Sequence, residues 1–97
     1  MKEYVFRNEG TCSSGIRILT DGETLVRVDF VGGCSGNTQG VARLSEGRSL
    51  DEVISLLRGI RCGFKPTSCP DQLAQALELI RDGKESRRLQ MREVEEC

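Results

Sequence analysis

Five cysteines stand in this 97-residue chain, and no histidine does. Four of the five lie where glycine, serine and proline interrupt the periodic runs. Cys12 is held in Gly-Thr-Cys-Ser-Ser-Gly, Cys34 in Gly-Gly-Cys-Ser-Gly-Asn, Cys62 in Arg-Cys-Gly and Cys69 in Thr-Ser-Cys-Pro-Asp. Turns and element ends leave backbone N–H groups free to point at sulfur, and such donors stabilise a thiolate. A domain of this length buries only about 60–65% of its unfolded surface, so its core is small. Small scaffolds commonly need a staple, which a metal can supply. The opening Met-Lys-Glu-Tyr-Val-Phe has no signal-peptide core, so a cytoplasmic setting is expected. In that reducing compartment thiols serve a metal, a redox step or a core more often than a disulfide.

Without histidine there is no imidazole base, no Ser-His triad and no imidazole metal ligand. Fourteen Lys and Arg against fifteen Asp and Glu leave a net charge of −1. That balance argues against strong non-specific nucleic-acid binding, which rests on many phosphate contacts. No apolar run approaches the roughly 18 residues of a membrane span. A full-size catalytic barrel does not fit in this length. No complete catalytic constellation is visible.

The first third reads as strands. Tyr4-Val5-Phe6 is a short apolar opening, and Asn8-Glu9-Gly10 is a turn. Asp21-Gly22 marks a hairpin. From Thr24 to Val31 the chain alternates, with Val26, Val28 and Phe30 on the face that helices should cover. The glycine run from Gly32 to Gly36 predicts a sharp break, followed by a short helix from about Thr38 to Leu44 that ends at Gly47. It lacks the lysine of a phosphate-binding loop, and a strand-to-helix turn is the simpler reading. Ser49-Leu50-Asp51-Glu52 is a capping box opening a second helix, which Gly59 ends. Pro70 suits the first turn of a third helix, with Cys69 as its N-cap and Asp71 and Gln72 serving its start. Asp82-Gly83 closes it. Residues 1–83 thus read as the domain. Residues 84–97 read as a charged tail, frayed or extending the last helix.

The fold expected is α+β: a small antiparallel meander of about three strands, two or three helices on one face, and cysteine loops converging at one end. Three readings of the cysteines stay open. Cys12, Cys34, Cys62 and Cys69 could hold a metal as four thiolates, the number a structural zinc takes. Arg61, Lys65 and Arg43 would offset the charge of that centre. Cys62 and Cys69 could instead form a redox pair. Or all four fill the core as small apolar groups. Spacing does not choose, because 21, 27 and 6 residues separate the four and no Cys-x-x-Cys pair occurs. Cys97, among charged residues, falls outside the set.

The run Thr67-Ser68-Cys69-Pro70-Asp71 resembles the signature of the TSCPD domain family. The likeness extends through Gly33-Cys34-Ser35-Gly36-Asn37 and Gly59-Ile60-Arg61-Cys62-Gly63, and covers roughly residues 3–83. The chain is similar to short bacterial members with four characteristic cysteines. Related domains lie at the C-terminus of many cobalamin-dependent ribonucleotide reductases. The resemblance implies a metal site at Cys12, Cys34, Cys62 and Cys69, most simply zinc, with an iron–sulfur cluster as the alternative. It also implies an accessory or binding role linked to deoxyribonucleotide synthesis, with a reductase component as protein partner. A nucleotide or nucleic-acid partner is a weaker expectation, and an edge strand or the tail could support a homodimer. The reductase's barrel, radical-forming cysteine and cobalamin site belong to a domain these residues do not contain. A fainter resemblance, from the meander through Gly-Cys-Ser-Gly to the helices, is to U-type iron–sulfur scaffold proteins. Their His and Asp ligands are missing here, so this likeness bears on the fold.

Overall fold

A computed structural model describes residues 1–11, 13–32, 35–61 and 63–93. Among these the chain runs β1 (Lys2–Arg7), β2 (Ser13–Asp21), β3 (Thr24–Gly32), α1 (Ser35–Ser45), α2 (Leu50–Leu57), α3 (Cys69–Asp82) and β4 (Leu89–Glu93). The strands form one antiparallel sheet in the order β3-β2-β1-β4. No helix of the described residues is long and apolar enough to cross a membrane.

The sheet and helices meet because each carries one apolar face. Phe6, Ile16, Ile18, Leu25 and Val28 come from the strands. Leu50, Val53 and Ile54 of α2 and Leu73, Ala76 and Leu77 of α3 close over them. The opposite side of the sheet leaves Val5 and Arg17 exposed. The α+β expectation therefore holds, with four strands and three helices. Its convergence of cysteine loops turns on Cys12, Cys34 and Cys62, which lie outside the described residues, as does Cys97.

Two bulges set which side chains enter the core. Pairing passes from Leu19↔Arg27 to Thr20↔Leu25, so β3 has one residue more than β2 there. The extra residue re-phases the strand, as a bulge does. Leu25 and Val28 are both buried, whereas Val26, expected on the core face, is only half-buried. Phe30 packs against the core as a partly buried neighbour. At the other end Ser13 pairs with Gly32 and Gly15 with Val31. Ser14 is the extra residue there, and both Ser13 and Ile16 turn inward.

The helix signals resolve residue by residue. Ser49 caps α2, its Oγ accepting the Glu52 N–H at 3.2 Å. The Glu52 carboxylate meanwhile takes Arg48 at 3.0 Å. Gly83, at φ 65°, ends α3 in the left-handed region open to glycine. α1 starts earlier than expected, at Ser35, so Gly36 falls in its first turn. The largest departure is in the tail. Over Leu89–Glu93 it neither frays nor extends α3, but pairs with β1 as a fourth strand. Leu89 faces Phe6 across that pair and joins the core. One inward apolar residue suffices because β1 already supplies the template.

Gly40 lies inside α1, where a Cβ would meet no described atom within 4 Å. Glycine there loses backbone entropy with no packing return. Gly40→Ala is expected to raise stability by about 0.5–1 kcal/mol, read as a higher urea midpoint at unchanged slope.

Candidate functional site

The start of α3 is built around Asp71. Ser68, one residue before Cys69, is the N-cap, and its Oγ accepts the Asp71 N–H at 3.1 Å. This corrects the expectation that Cys69 caps the helix: a hydroxyl oxygen is the better acceptor, and Cys69 becomes the first helical residue. Pro70 follows in the first turn, where its missing N–H costs nothing. The Ser68 hydroxyl also donates to the Ile60 carbonyl at 2.6 Å, which binds the chain leaving α2 to the start of α3.

The Asp71 side chain is 3% exposed. Its carboxylate accepts from Thr67 Oγ1 at 2.5 Å, Gly59 N at 2.7 Å, Gln75 Nε2 at 2.8 Å and Arg58 Nη1 at 3.2 Å. Burial pushes its pKa up, but the bonds from Thr67, Gly59, Gln75 and Arg58 outweigh that and hold it below the ordinary aspartate value. Arg58 reaches Glu78 as well, at 2.5 Å.

The segment before Cys12 lies against the same turn. Gly10 adopts φ +73°, and a Cβ there would come within 3.2 Å of Thr67 Cγ2. The Glu9 N–H donates to Gln72 Oε1 at 3.3 Å, and Gln72 Nε2 donates to Thr67 Oγ1 at 3.0 Å. Arg88 also donates to Gln72 Oε1, and its guanidinium lies 4.5 Å over the Phe6 ring. The Ser13 Oγ stands 3.0 Å from Cys69 Sγ, with both residues buried.

Of the four predicted ligands, Cys69 is described and Cys12, Cys34 and Cys62 lie outside the described residues. The residues beside them do come together. Ser13, next to Cys12, touches Cys69 and pairs with Gly32, two residues before Cys34. Ile60, two residues before Cys62, is bonded to Ser68. Arg43, Arg61 and Lys65 are exposed. Among the described residues no three cysteines or carboxylates form a ligand cluster. Sequence reasoning missed Ser13 and Asn8, whose Nδ2 donates to Ser13 Oγ at 2.6 Å. The doubled serine after Cys12 was the one hint, because serine is a ready donor to sulfur.

The fold and this turn define a class: a small α+β domain with Cys69 in the first turn of its third helix. The chain belongs to the TSCPD domain family, whose model matches residues 2–81. That match runs from β1 nearly to the end of α3 and stops before β4. No curated protein and no solved structure matches the chain.

Asp71→Asn removes the charge that four donors converge on. A loss of about 2–4 kcal/mol is expected at pH 7. A carboxylate with a lowered pKa contributes stability above its ordinary range, and loses it as pH falls through the folded value. The deficit should therefore shrink below about pH 4. Urea unfolding of both proteins at pH 7 and pH 3 measures this, and an equal deficit at both would remove the charge from the explanation.

Proposed function

We propose that this chain is a small metal-binding module in which Cys12, Cys34, Cys62 and Cys69 hold one zinc ion. The module acts as a binding or accessory unit. The observation that carries the reading is the meeting of described neighbours: Ser13 with both Cys69 and Gly32, and Ile60 with Ser68. Segments 21, 27 and 6 residues apart in sequence are thereby drawn towards the first turn of α3.

The donor set fits a structural zinc. Such sites take four thiolates in a closed tetrahedron. When bound, zinc supplies folding energy and no redox chemistry. The chain's part is to hold Cys69 in the first turn of α3, with the Ser13 hydroxyl against its sulfur. The exposed cations Arg61 and Lys65 offset the charge of a tetrathiolate centre. Cys69 is 5% exposed, which favours the metal over a Cys62/Cys69 dithiol, since exchange needs an accessible thiolate.

A binding role draws on the loop between α2 and α3. Phe64 stands fully in solvent there, beside Lys65. We take this exposed aromatic as the contact residue, since aromatic side chains are enriched among the anchors of interfaces. By family resemblance the partner proposed is a ribonucleotide reductase component, to be sought by pull-down from native extract.

Elemental analysis and a visible spectrum of protein purified anaerobically without chelator test the metal. About one zinc per chain is expected, with no colour, a lower melting temperature after chelation, and loss of the metal in Cys69→Ser. Iron with sulfide and a brown colour would replace zinc by a cluster. No metal at all would sink the proposal.

A further inference from the structure

We infer that Ser13 and Asn8 are positioning residues for the Cys69 ligand: the Ser13 hydroxyl donates to the Cys69 sulfur, and Asn8 fixes the direction of that donation. This rests on the four-thiolate reading above.

Distance alone leaves the donor open, since either Ser13 Oγ or Cys69 Sγ could supply the proton across 3.0 Å. The neighbours decide. A serine hydroxyl has one proton and two lone pairs. Asn8 Nδ2 donates into one lone pair at 2.6 Å. Thr11 Oγ1, 3.4 Å from Ser13 Oγ, gives its own proton to the Ser13 carbonyl at 2.9 Å. The nearer acceptor for the Ser13 proton is therefore the sulfur. A metal-bound cysteine has no S–H and can only accept, so the polarity is the one such a ligand requires.

The orientation of the Asn8 amide holds that direction. Asn8 is 8% exposed, and its Oδ1 is buried without a hydrogen-bond partner among the described residues. Turning the amide over would place Oδ1 on the Ser13 hydroxyl, but would move Nδ2 and its two protons into the buried position that has no partner among the described residues. The Ser13 proton would then go to Asn8, and the sulfur would have to donate. The arrangement in place keeps the Asn8 donor paired and the serine proton on the sulfur. The bulge at Ser14 serves the same end. Regular alternation would turn Ser14 inward with Ile16, whereas the extra residue turns Ser13 inward, onto a residue 56 positions away.

Zinc titration of the full chain against a chromophoric chelator tests this. Ser13→Ala is expected to weaken zinc binding about 10–100-fold, the usual effect of losing a group that orients a ligand. Ser13→Thr, which keeps the hydroxyl, should bind within a few-fold of wild type. Asn8→Ala should weaken binding, and the double variant S13A/N8A should bind no more weakly than S13A, because Asn8 acts through Ser13. Cobalt in place of zinc gives a second readout: the sulfur-to-cobalt absorption should shift in Asn8→Ala and stay put in Ser13→Thr. That readout decides the matter even where Ser13→Ala does not fold. Zinc binding by S13A as tight as wild type, or an unshifted cobalt spectrum in Asn8→Ala, would overturn the inference and leave the metal site standing. Wild-type protein that takes up no zinc would overturn the metal site itself, before any variant is compared.

Discussion

The buried Asp71 carboxylate is the interaction on which the start of α3, and with it the place of Cys69, depends. Its four donors come from the end of α2, from the residue before the Ser68 cap, and from the next turn of α3. A buried charge stripped of its donors costs several kcal/mol, so these three pieces of chain cannot drift apart singly. With them fixed, Ser68 is held as cap and Cys69 is delivered to the first turn, facing Ser13. The cysteine's position is thus set by polar bonds made by its neighbours, and only secondarily by apolar packing.

A second polar layer ties the far strand to this turn. Gln72 accepts from Glu9 and from Arg88, while Arg88 also donates to the Arg7 carbonyl at 2.8 Å and covers the Phe6 ring. The chain entering β4 is therefore fastened both to α3 and to the end of β1. This accounts for an ordered strand in a segment whose composition suggested a solvated tail. The guanidinium supplies three contacts that an apolar side chain could not make together.

How much of this was legible follows from the range of each signal. The Ser49 cap, the hairpin at Asp21-Gly22 and the stop at Gly83 are local chemistry, and they read correctly, although Glu52 pairs with Arg48 and does not close the box on Ser49. Val26 was misplaced because a bulge is fixed by the partner strand, and nothing in Thr24–Gly32 alone reveals it. β4 was missed for a similar reason: its pairing depends on β1, more than eighty residues earlier in the chain. At the start of α3, turn chemistry singled out Pro70 in the first turn and the role of Asp71 in opening the helix. It could not disclose that Asp71 gathers Arg58 and Gly59, or that Ser13 meets Cys69. Those contacts exist only after the sheet and α3 have docked.

The strand order has one more consequence. Lys2 of β1 pairs with both Thr20 of β2 and Glu93 of β4, so the two ends of the described chain lie side by side. They sit at the hairpin end of the sheet, whereas Ser13 and Cys69 lie at the other. Six residues of β1 separate the two ends, about 20 Å at strand spacing. The domain is in effect a plug with both leads on one side. It can be spliced into or onto a longer polypeptide at those leads while the end that carries Ser13 and Cys69 stays clear of the junction. A unit wired this way travels between architectures without its chemistry having to be rebuilt.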